Sequence, residues 1–167
     1  MQIVYACYGG AHSSPMAAAI HVGRLWGDPL PSLTDIQNLL YFDMIGDEDR
    51  GRVFPVGIDE FGNHVYMLGR GSDERSILQA VKSGYILAGG DPRQLLFVNT
   101  LQAVNWQMRV GGFLSRRLGL VSIGRPLVTR GARRAYRKLA QIVANTKASC
   151  QSVRGPIHPV SSPSNQE

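Results

Sequence analysis

The chain has 167 residues, of which 44% are hydrophobic and 18% charged, so it is long enough for one globular domain and too apolar for a disordered protein. No apolar run approaches the roughly 18 residues that span a bilayer, and the N-terminus lacks the basic region of a signal peptide, so we expect no membrane partner. The two cysteines, Cys7 and Cys150, form no CxxC pair. That spacing indicates neither a zinc site nor a disulfide framework and favours a cytoplasmic location.

Charge is distributed unevenly along the chain. Residues 1–91 contain 6 basic and 11 acidic side chains, whereas residues 92–167 contain 12 basic side chains and a single acid, Glu167. This asymmetry indicates either an anionic partner for the C-terminal half or mutual neutralisation of the two halves in the fold. A solvated basic face explains it equally well.

Strand and helix signals alternate in the first half of the chain. Residues 2–7 are apolar without alternation, as in a strand that is buried on both faces of a parallel sheet. Pro15 is suited to the first turn of a helix, and Gly62-Asn63 to a tight turn. The expected elements are a strand at 2–7, a helix from Ser14 to between 23 and 27, a short helix over 33–42 capped by Ser32 or Thr34, a β-hairpin of 53–58 and 64–69, and a helix from Ser72 to Leu87.

The second half continues the alternation. The expected elements are a strand at 95–100, a helix over 101–118 that Gly111-Gly112 weakens, a short strand at 124–129, and a last helix with apolar residues at helical spacing from Ala132 to Val143. Residues 148–167 are rich in Ser, Pro and Gln and predict a disordered tail. We therefore predict one α/β domain over 1–147, a three-layer structure in which helices flank a mostly parallel sheet, with a β-hairpin in the middle of the chain.

The stretch CYGGAHSSP, which follows the first strand, has the composition of an anion-binding loop. Backbone amides at the start of a helix lack intrahelical partners, and the helix dipole adds positive potential there. A glycine-containing loop can therefore direct its amides at a phosphate or a similar oxyanion, and the same potential favours the thiolate form of an adjacent cysteine. We predict Cys7 as a nucleophile, with ligand contacts from Tyr8, Gly9, Gly10, Ala11, Ser13 and Ser14.

The sequence IVYACYGGAHSSPMAAAI resembles the N-terminal loop of low-molecular-weight protein tyrosine phosphatases and related arsenate reductases. The resemblance covers about 20 residues and implies that Cys7 is the nucleophile, Gly9 the loop glycine and Ser14 the serine that steadies the thiolate. Ser13, however, occupies the position of the arginine that clamps the phosphoryl oxygens in those enzymes. The resemblance therefore implies an anion pocket in which the usual chemistry is altered.

A second resemblance extends over residues 1–145. The blocks CYGGAHSS, VNWQMRVGGFLSRRLGL and IGRPLVTRG are similar to an uncharacterised domain-of-unknown-function family of spore-forming Firmicutes. It implies a bacterial cytoplasmic protein and brings no known activity.

Further residues are candidates for the same site. His12 lies in the loop and is suited to act as a base or as a hydrogen-bond donor to an anion, although a histidine facing water is the simpler interpretation. If residues 126–129 form a strand parallel to residues 2–7, the arginines that bracket it, Arg125 and Arg130, come close to the Cys7 loop. We expect Arg130 to supply the positive charge that is missing at Ser13. The spacing of the histidines and cysteines predicts no metal site, and no cofactor is indicated.

Three functions fit these observations. The first is an α/β domain that binds a phosphate-bearing or other anionic small molecule at the Cys7 loop, with or without thiol-dependent phosphoryl transfer or hydrolysis. The second is a nucleic-acid-binding module in the basic half, where Trp106 and Tyr136 are available for stacking or for the core. The third is a non-enzymatic regulatory protein of sporulation that senses a ligand.

Overall fold

The computed structural model describes residues 1–26 and 30–154 and contains one four-stranded sheet in the order β2-β3-β1-β4. β1 lies at the centre and pairs in parallel with β3 and β4, while β2 and β3 form the antiparallel hairpin. The predicted sheet was mostly parallel; the observed sheet is mixed, because the hairpin contributes one antiparallel pair. The strands are β1 (Gln2–Cys7), β2 (Val53–Ile58), β3 (His64–Gly69) and β4 (Leu95–Asn99).

Successive side chains of β1 point to opposite faces of the sheet, and both faces are covered. Ile3 and Tyr5 belong to the larger core, which lies between the sheet and the helices α1 (Ser13–His21) and α5 (Val121–Arg154). Val4 and Ala6 belong to a smaller cluster, covered by apolar side chains of α3 (Glu74–Leu87). The flanking helices and the central sheet agree with the α/β class that the alternating pattern predicts.

Two helices in the first half begin at side-chain caps, and Ser32 is one of the two caps that the sequence offers for the first of them. Ser32 accepts a hydrogen bond from the Asp35 amide, and Asp35 accepts one from the Ser32 amide, so a capping box opens α2 (Leu33–Gln37). Asp73 accepts from the Ser76 amide and caps α3. α2 ends five residues before the predicted limit of 42, and α1 ends at His21, before the predicted range of 23–27.

The predicted helix over 101–118 is divided into three parts. A 3₁₀ turn (Leu101–Ala103) comes first, α4 (Trp106–Gly112) follows, and a π-helical turn (Phe113–Arg117) ends the segment. α4 ends at Gly112, and a β-carbon on Gly111 would lie 2.5 Å from the backbone nitrogen of Val128 on α5. This glycine therefore lets α4 and α5 touch backbone to backbone.

The predicted strand at 124–129 is wrong, because these residues form part of α5. Gly124, Val128 and Ala132 are buried at helical spacing, so the periodicity recognised after Ala132 begins eight residues earlier. Pro126 removes one backbone donor from the second turn of α5, and its exposed ring does not interrupt the helix.

α5 also continues further than predicted, to Arg154, seven residues into the segment 148–167 that was assigned to the tail. Its last turns are anchored, because Cys150 is buried in the main core and the Thr146 hydroxyl donates to the carbonyl of Ile142. Residues 155–167, the rest of the predicted tail, lie outside the described residues.

Candidate functional site

Cys7 ends β1 at the carboxyl edge of the sheet, where its sulfur has two polar neighbours. The Gly10 amide donates to Sγ over 3.2 Å, and the Ser14 hydroxyl lies 3.1 Å from it. Gly10 has φ +73°, and a β-carbon there would lie 2.9 Å from the backbone nitrogen of Gly69. Only glycine fits this position, which fixes the turn that places an amide on the sulfur.

Several loop amides remain available to a ligand. Within residues 1–26 and 30–154, the amides of Gly9, Ala11 and Ser13 donate to no acceptor. Ser13 and the residues before it form the N-terminal end of α1, a nine-residue helix whose dipole places positive potential there. The loop therefore offers donors and positive potential on the same side as the cysteine.

A pocket of about 430 Å³ opens in front of this loop. Its polar floor contains Cys7, His12 and Ser13, and its walls are mainly apolar side chains of the segment 101–113 and Ile45. The predicted residues that line it are Cys7, Tyr8, Gly9, Ala11, His12 and Ser13. The other two predicted loop residues, Gly10 and Ser14, do not line the pocket; both are buried and contact the sulfur of Cys7. The structure thus brings together the loop residues that the sequence singled out.

His12 is held by a buried carboxylate. Its Nε2 lies 3.0 Å from Oδ1 of Asp43, whose Oδ2 accepts a 2.7 Å hydrogen bond from the Ser115 hydroxyl. Burial raises the pKa of Asp43, but hydrogen bonds from His12 and Ser115 and the charge of Arg116 more than offset this, so the pKa lies below its ordinary value. An ionised Asp43 only accepts hydrogen bonds, so Nε2 of His12 carries the proton and Nδ1 is left for the pocket.

The position of Asp43 depends on unusual backbone. It has φ +56°, and its amide donates to the carbonyl of Ala11 in the Cys7 loop over 2.8 Å. A left-handed conformation is uncommon for a residue other than glycine, although aspartate tolerates it better than most. No local pattern pointed to Asp43, because its partner His12 is 31 residues away in the chain.

Four arginines line the pocket, and none of them was predicted as a ligand-binding residue. Arg116 donates to the carbonyls of Asp43 and Met44, and the guanidinium of Arg50 lies 5.2 Å from the centre of the Tyr8 ring. The side chains of Arg109 and Arg117 line the pocket and make no hydrogen bond or ion pair with any other described residue. Residues 109, 112, 113 and 116 are spaced as one face of a helix, a signal that could have identified this wall.

The predicted roles of Arg125 and Arg130 are not supported by their positions. Because residues 124–129 are helical, the segment does not lie beside β1 as a strand. Arg125 donates to the carbonyl of Gln37, Arg130 is exposed, and neither lines the pocket. Ser13, which the predicted resemblance aligns with the phosphatase arginine, has its hydroxyl 3.0 Å from that of Thr100, the residue after β4.

A second histidine, His21, belongs to a buried network outside the pocket. Its Nε2 donates to Asp59 over 2.9 Å and its Nδ1 accepts from the Tyr5 hydroxyl over 2.6 Å. Burial lowers the pKa of His21 and raises that of Tyr5, so both side chains are neutral. In the described part of the chain, no three His, Cys, Asp or Glu side chains are grouped as metal ligands.

Fold and pocket together define an α/β domain with a cysteine-containing loop at the carboxyl edge of a mixed sheet. The chain belongs to the DUF3189 family, described as a protein of unknown function, whose model matches residues 2–148. This match confirms the predicted membership of a domain-of-unknown-function family. The likeness to the phosphatase loop and the origin in spore-forming bacteria remain predictions. No curated protein and no solved structure gives a significant match.

None of the helices in the described ranges has the length and apolar character needed to cross a bilayer.

Proposed function

We propose that the protein binds the oxyanion end of a small organic anion, such as a phosphate ester, in the pocket at Cys7, and that Cys7 is the nucleophile of a transfer or hydrolysis reaction. The observation that carries the proposal is the position of Sγ, which contacts an amide and a hydroxyl at a pocket lined by four arginines and one acid, Asp47, which is ion-paired with Arg50. Amides and guanidinium groups are the donors that proteins use for phosphate.

The pocket also suits an apolar body on the ligand. Leu101, Val104, Met108 and Phe113 form the wall opposite the loop, and a phosphate ester with a flat or branched organic group would bury apolar surface there. Inorganic phosphate alone would leave this wall unused. We therefore expect an aromatic phosphate to bind more tightly than inorganic phosphate.

The residues supply the groups for a two-step phosphoryl transfer. The thiolate of Cys7 attacks phosphorus while the ester bond to the leaving oxygen breaks, and that oxygen takes a proton from Nδ1 of protonated His12. Water then attacks the cysteinyl phosphate as Nδ1 accepts its proton, which releases phosphate and restores the thiolate. Asp43 orients His12 throughout and stabilises the imidazolium form.

Arg109 and Arg117 take the part of the absent loop arginine. Their guanidinium groups line the pocket without a partner among the described residues, whereas Arg116 already donates to two carbonyls. Replacing either one with alanine should weaken phosphate-ester binding several-fold, on the order of one charge-assisted hydrogen bond. Arg130→Ala, an exposed arginine outside the pocket, is the matched control and should leave binding unchanged.

The test of binding is protection of Cys7 from alkylation. Iodoacetamide labelling at neutral pH, followed by mass spectrometry, is compared without ligand, with inorganic phosphate and with phenyl phosphate. Cys7 and Cys150 are 4% and 3% exposed, but Cys7 lines the pocket and Cys150 does not, so labelling of Cys150 reports general unfolding. Protection of Cys7 by phenyl phosphate at lower concentration than by inorganic phosphate supports the proposal; equal labelling under all three conditions refutes it.

The test of chemistry is hydrolysis of p-nitrophenyl phosphate by the protein and by the Cys7→Ser variant. Turnover that the variant abolishes, together with a phosphorylated Cys7 trapped by acid quenching, supports the nucleophile role. Protection without turnover would remove the catalytic part of the proposal and favour a ligand-sensing protein.

A second candidate, nucleic-acid binding, is favoured by one observation. Arg130, Arg137 and Lys138 are exposed on α5, and residues 92–154 contain no acidic side chain. Tyr136 is buried and cannot stack on a base, whereas Trp106 is exposed. Binding of single-stranded RNA that weakens steeply with salt, and that an Arg137→Ala, Lys138→Ala variant reduces, would support this function.

A further inference from the structure

The turn that joins the π-helical segment to α5 exposes a group of apolar side chains. We call residues 113–123 the hairpin tip; its exposed apolar residues are Phe113, Leu118, Leu120, Val121 and Ile123. Leu118 is 53% and Ile123 61% exposed, so neither is used in the core. Single exposed apolar residues are ordinary, but five within eleven positions indicate a surface that meets an apolar partner.

The backbone holds these side chains in a defined turn. Gly119 has φ +68°, and the Leu120 amide donates to the carbonyl of Leu114, the arrangement by which a helix ends in a left-handed glycine. Behind the tip, a β-carbon on Gly124 would lie 2.4 Å from the Ser115 nitrogen, so the two arms of the hairpin touch directly. The tip is therefore a fixed projection and not a loose loop.

The charged side chains within the tip are both arginines, although the buried carboxylate of Asp43 accepts a hydrogen bond from Ser115 and Asp47 lines the pocket that the tip shares. Arg116 and Arg117 are exposed within it, Arg109 is exposed one turn earlier, and no acidic side chain occurs anywhere in residues 92–154. Apolar side chains flanked by arginines match the two layers of an anionic membrane surface, because the apolar groups enter the acyl boundary and the guanidinium groups meet the phosphates.

We propose that the hairpin tip docks the protein on an anionic lipid surface. Phe113, Arg116 and Arg117 belong to both the tip and the pocket lining, so docking would place the pocket mouth at the membrane. The docking proposal can be tested apart from the catalytic one, because Leu118, Leu120 and Ile123 belong to the tip and do not line the pocket. The sequence indicated no membrane partner because it lacks a spanning segment, and surface docking needs none.

The residues of the tip argue against two other partners, a second copy of the chain and single-stranded RNA. In a symmetric dimer, the same patch meets itself, which would bring the arginines of one copy against those of the other. RNA binding to single strands relies on aromatic stacking, and Phe113 is the one aromatic side chain in the tip. Aliphatic side chains such as Leu118 and Ile123 bury little apolar surface against a base but bury much more in an acyl layer.

The experiment is co-sedimentation of the full chain with vesicles of phosphatidylcholine, with and without phosphatidylglycerol. We expect binding that requires phosphatidylglycerol, that weakens as salt is raised, and that falls about tenfold or more in the variant Leu118→Asp, Ile123→Asp. The matched control is Leu87→Asp, because Leu87 is an 89% exposed leucine on α3, outside the tip. Circular dichroism establishes that both variants are folded.

Three results would overturn the proposal: no binding to either vesicle, binding that the tip variant leaves unchanged, or equal binding to vesicles with and without phosphatidylglycerol. Concentration-dependent dimers that the tip variant disrupts, or RNA binding that it abolishes, would instead assign the surface to one of the other partners. Cys7 labelling and its protection by phenyl phosphate should be the same in the tip variant and the native chain. A failure of docking is therefore distinguishable from a failure of the catalytic site.

Discussion

Gly112 on α4 lies so close to His12 that a β-carbon placed on it would be 2.9 Å from Cε1 of the imidazole. Gly112, which the sequence predicted to weaken a helix, thus contacts His12 across the pocket that both residues line. Gly112→Ala should displace the His12 ring from Asp43 and weaken both phosphate-ester protection of Cys7 and any turnover by about tenfold. The measurement is Cys7 labelling across a phenyl phosphate titration.

The control for this substitution is Gly84→Ala. Gly84 lies in α3 with nothing within 4 Å of its added β-carbon, so alanine there should stabilise the fold by roughly 0.5–1 kcal/mol and leave labelling unchanged. If phenyl phosphate protects Cys7 equally well in the Gly112→Ala variant and in the native chain, His12 is not part of the binding site.

The Ser14 hydroxyl should set the reactivity of Cys7. Ser14→Ala removes one of the two polar neighbours of Sγ, so we expect alkylation of Cys7 to slow several-fold because the thiolate loses a hydrogen bond. Ser13→Ala is the matched control, since its hydroxyl contacts Thr100 and not the sulfur. Equal rates in both variants would contradict the assignment.

The buried network of His21 and Asp59 should make stability fall in acid. Burial lowers the folded pKa of His21, although its hydrogen bond to Asp59 raises it, so the unfolded chain takes up this proton first. Stability from His21 is therefore complete above the unfolded value of about 6.5 and declines as pH falls below it. Urea unfolding between pH 8 and pH 5 measures this first stage of the loss of stability in acid.

Asp59 should produce a second stage at lower pH. Burial alone raises its pKa, but hydrogen bonds from Asn63 and His21 lower it from 3.8 to about 2. Its contribution, roughly 2 kcal/mol, is complete above about pH 4 and is lost as pH falls toward 2. Asp59→Asn should destabilise the protein at neutral pH and remove this second stage; an unchanged acid profile would show that another group is responsible.

Gly124, where α5 contacts the backbone of residues 111–115, should tolerate no side chain. Gly124→Ala would place a β-carbon 2.4 Å from the Ser115 nitrogen and 2.7 Å from the Gly111 carbonyl oxygen, both of them backbone atoms. We expect a loss of about 2–3 kcal/mol, the range for overpacking against groups that cannot move aside. Thermal melting measures it, and a melting temperature equal to that of the native chain would be incompatible with the contact.

Local signals identified most of the fold. Apolar residues without alternation predicted β1, the Gly62-Asn63 turn predicted the hairpin, and the helix expected from Ser72 to Leu87 is α3, which begins two residues later. The error at 124–129 arose because the first apolar positions of α5 are filled by glycine and by residues also typical of strands. Gly124 carries no hydrophobic signal, although it is buried against α4.

The site was predicted in part. The cysteine loop is one continuous segment, so its residues could be recognised together, and the structure places most of them in one pocket. Asp43 and Arg109 come from distant segments, and their contribution depends on how α4 and the loop after α2 pack against the Cys7 loop. Such contacts follow from tertiary structure and leave no local pattern.

The direct backbone contact at Gly111 and Gly124 has a consequence for ligand affinity. Because the backbones touch at these two glycines, the backbone that carries Arg109, Arg116 and Arg117 is set in place when the chain folds. The entropic cost of ordering this backbone is met during folding, and only the arginine side chains lose freedom when a ligand binds. A modest number of contacts could then hold an anion firmly.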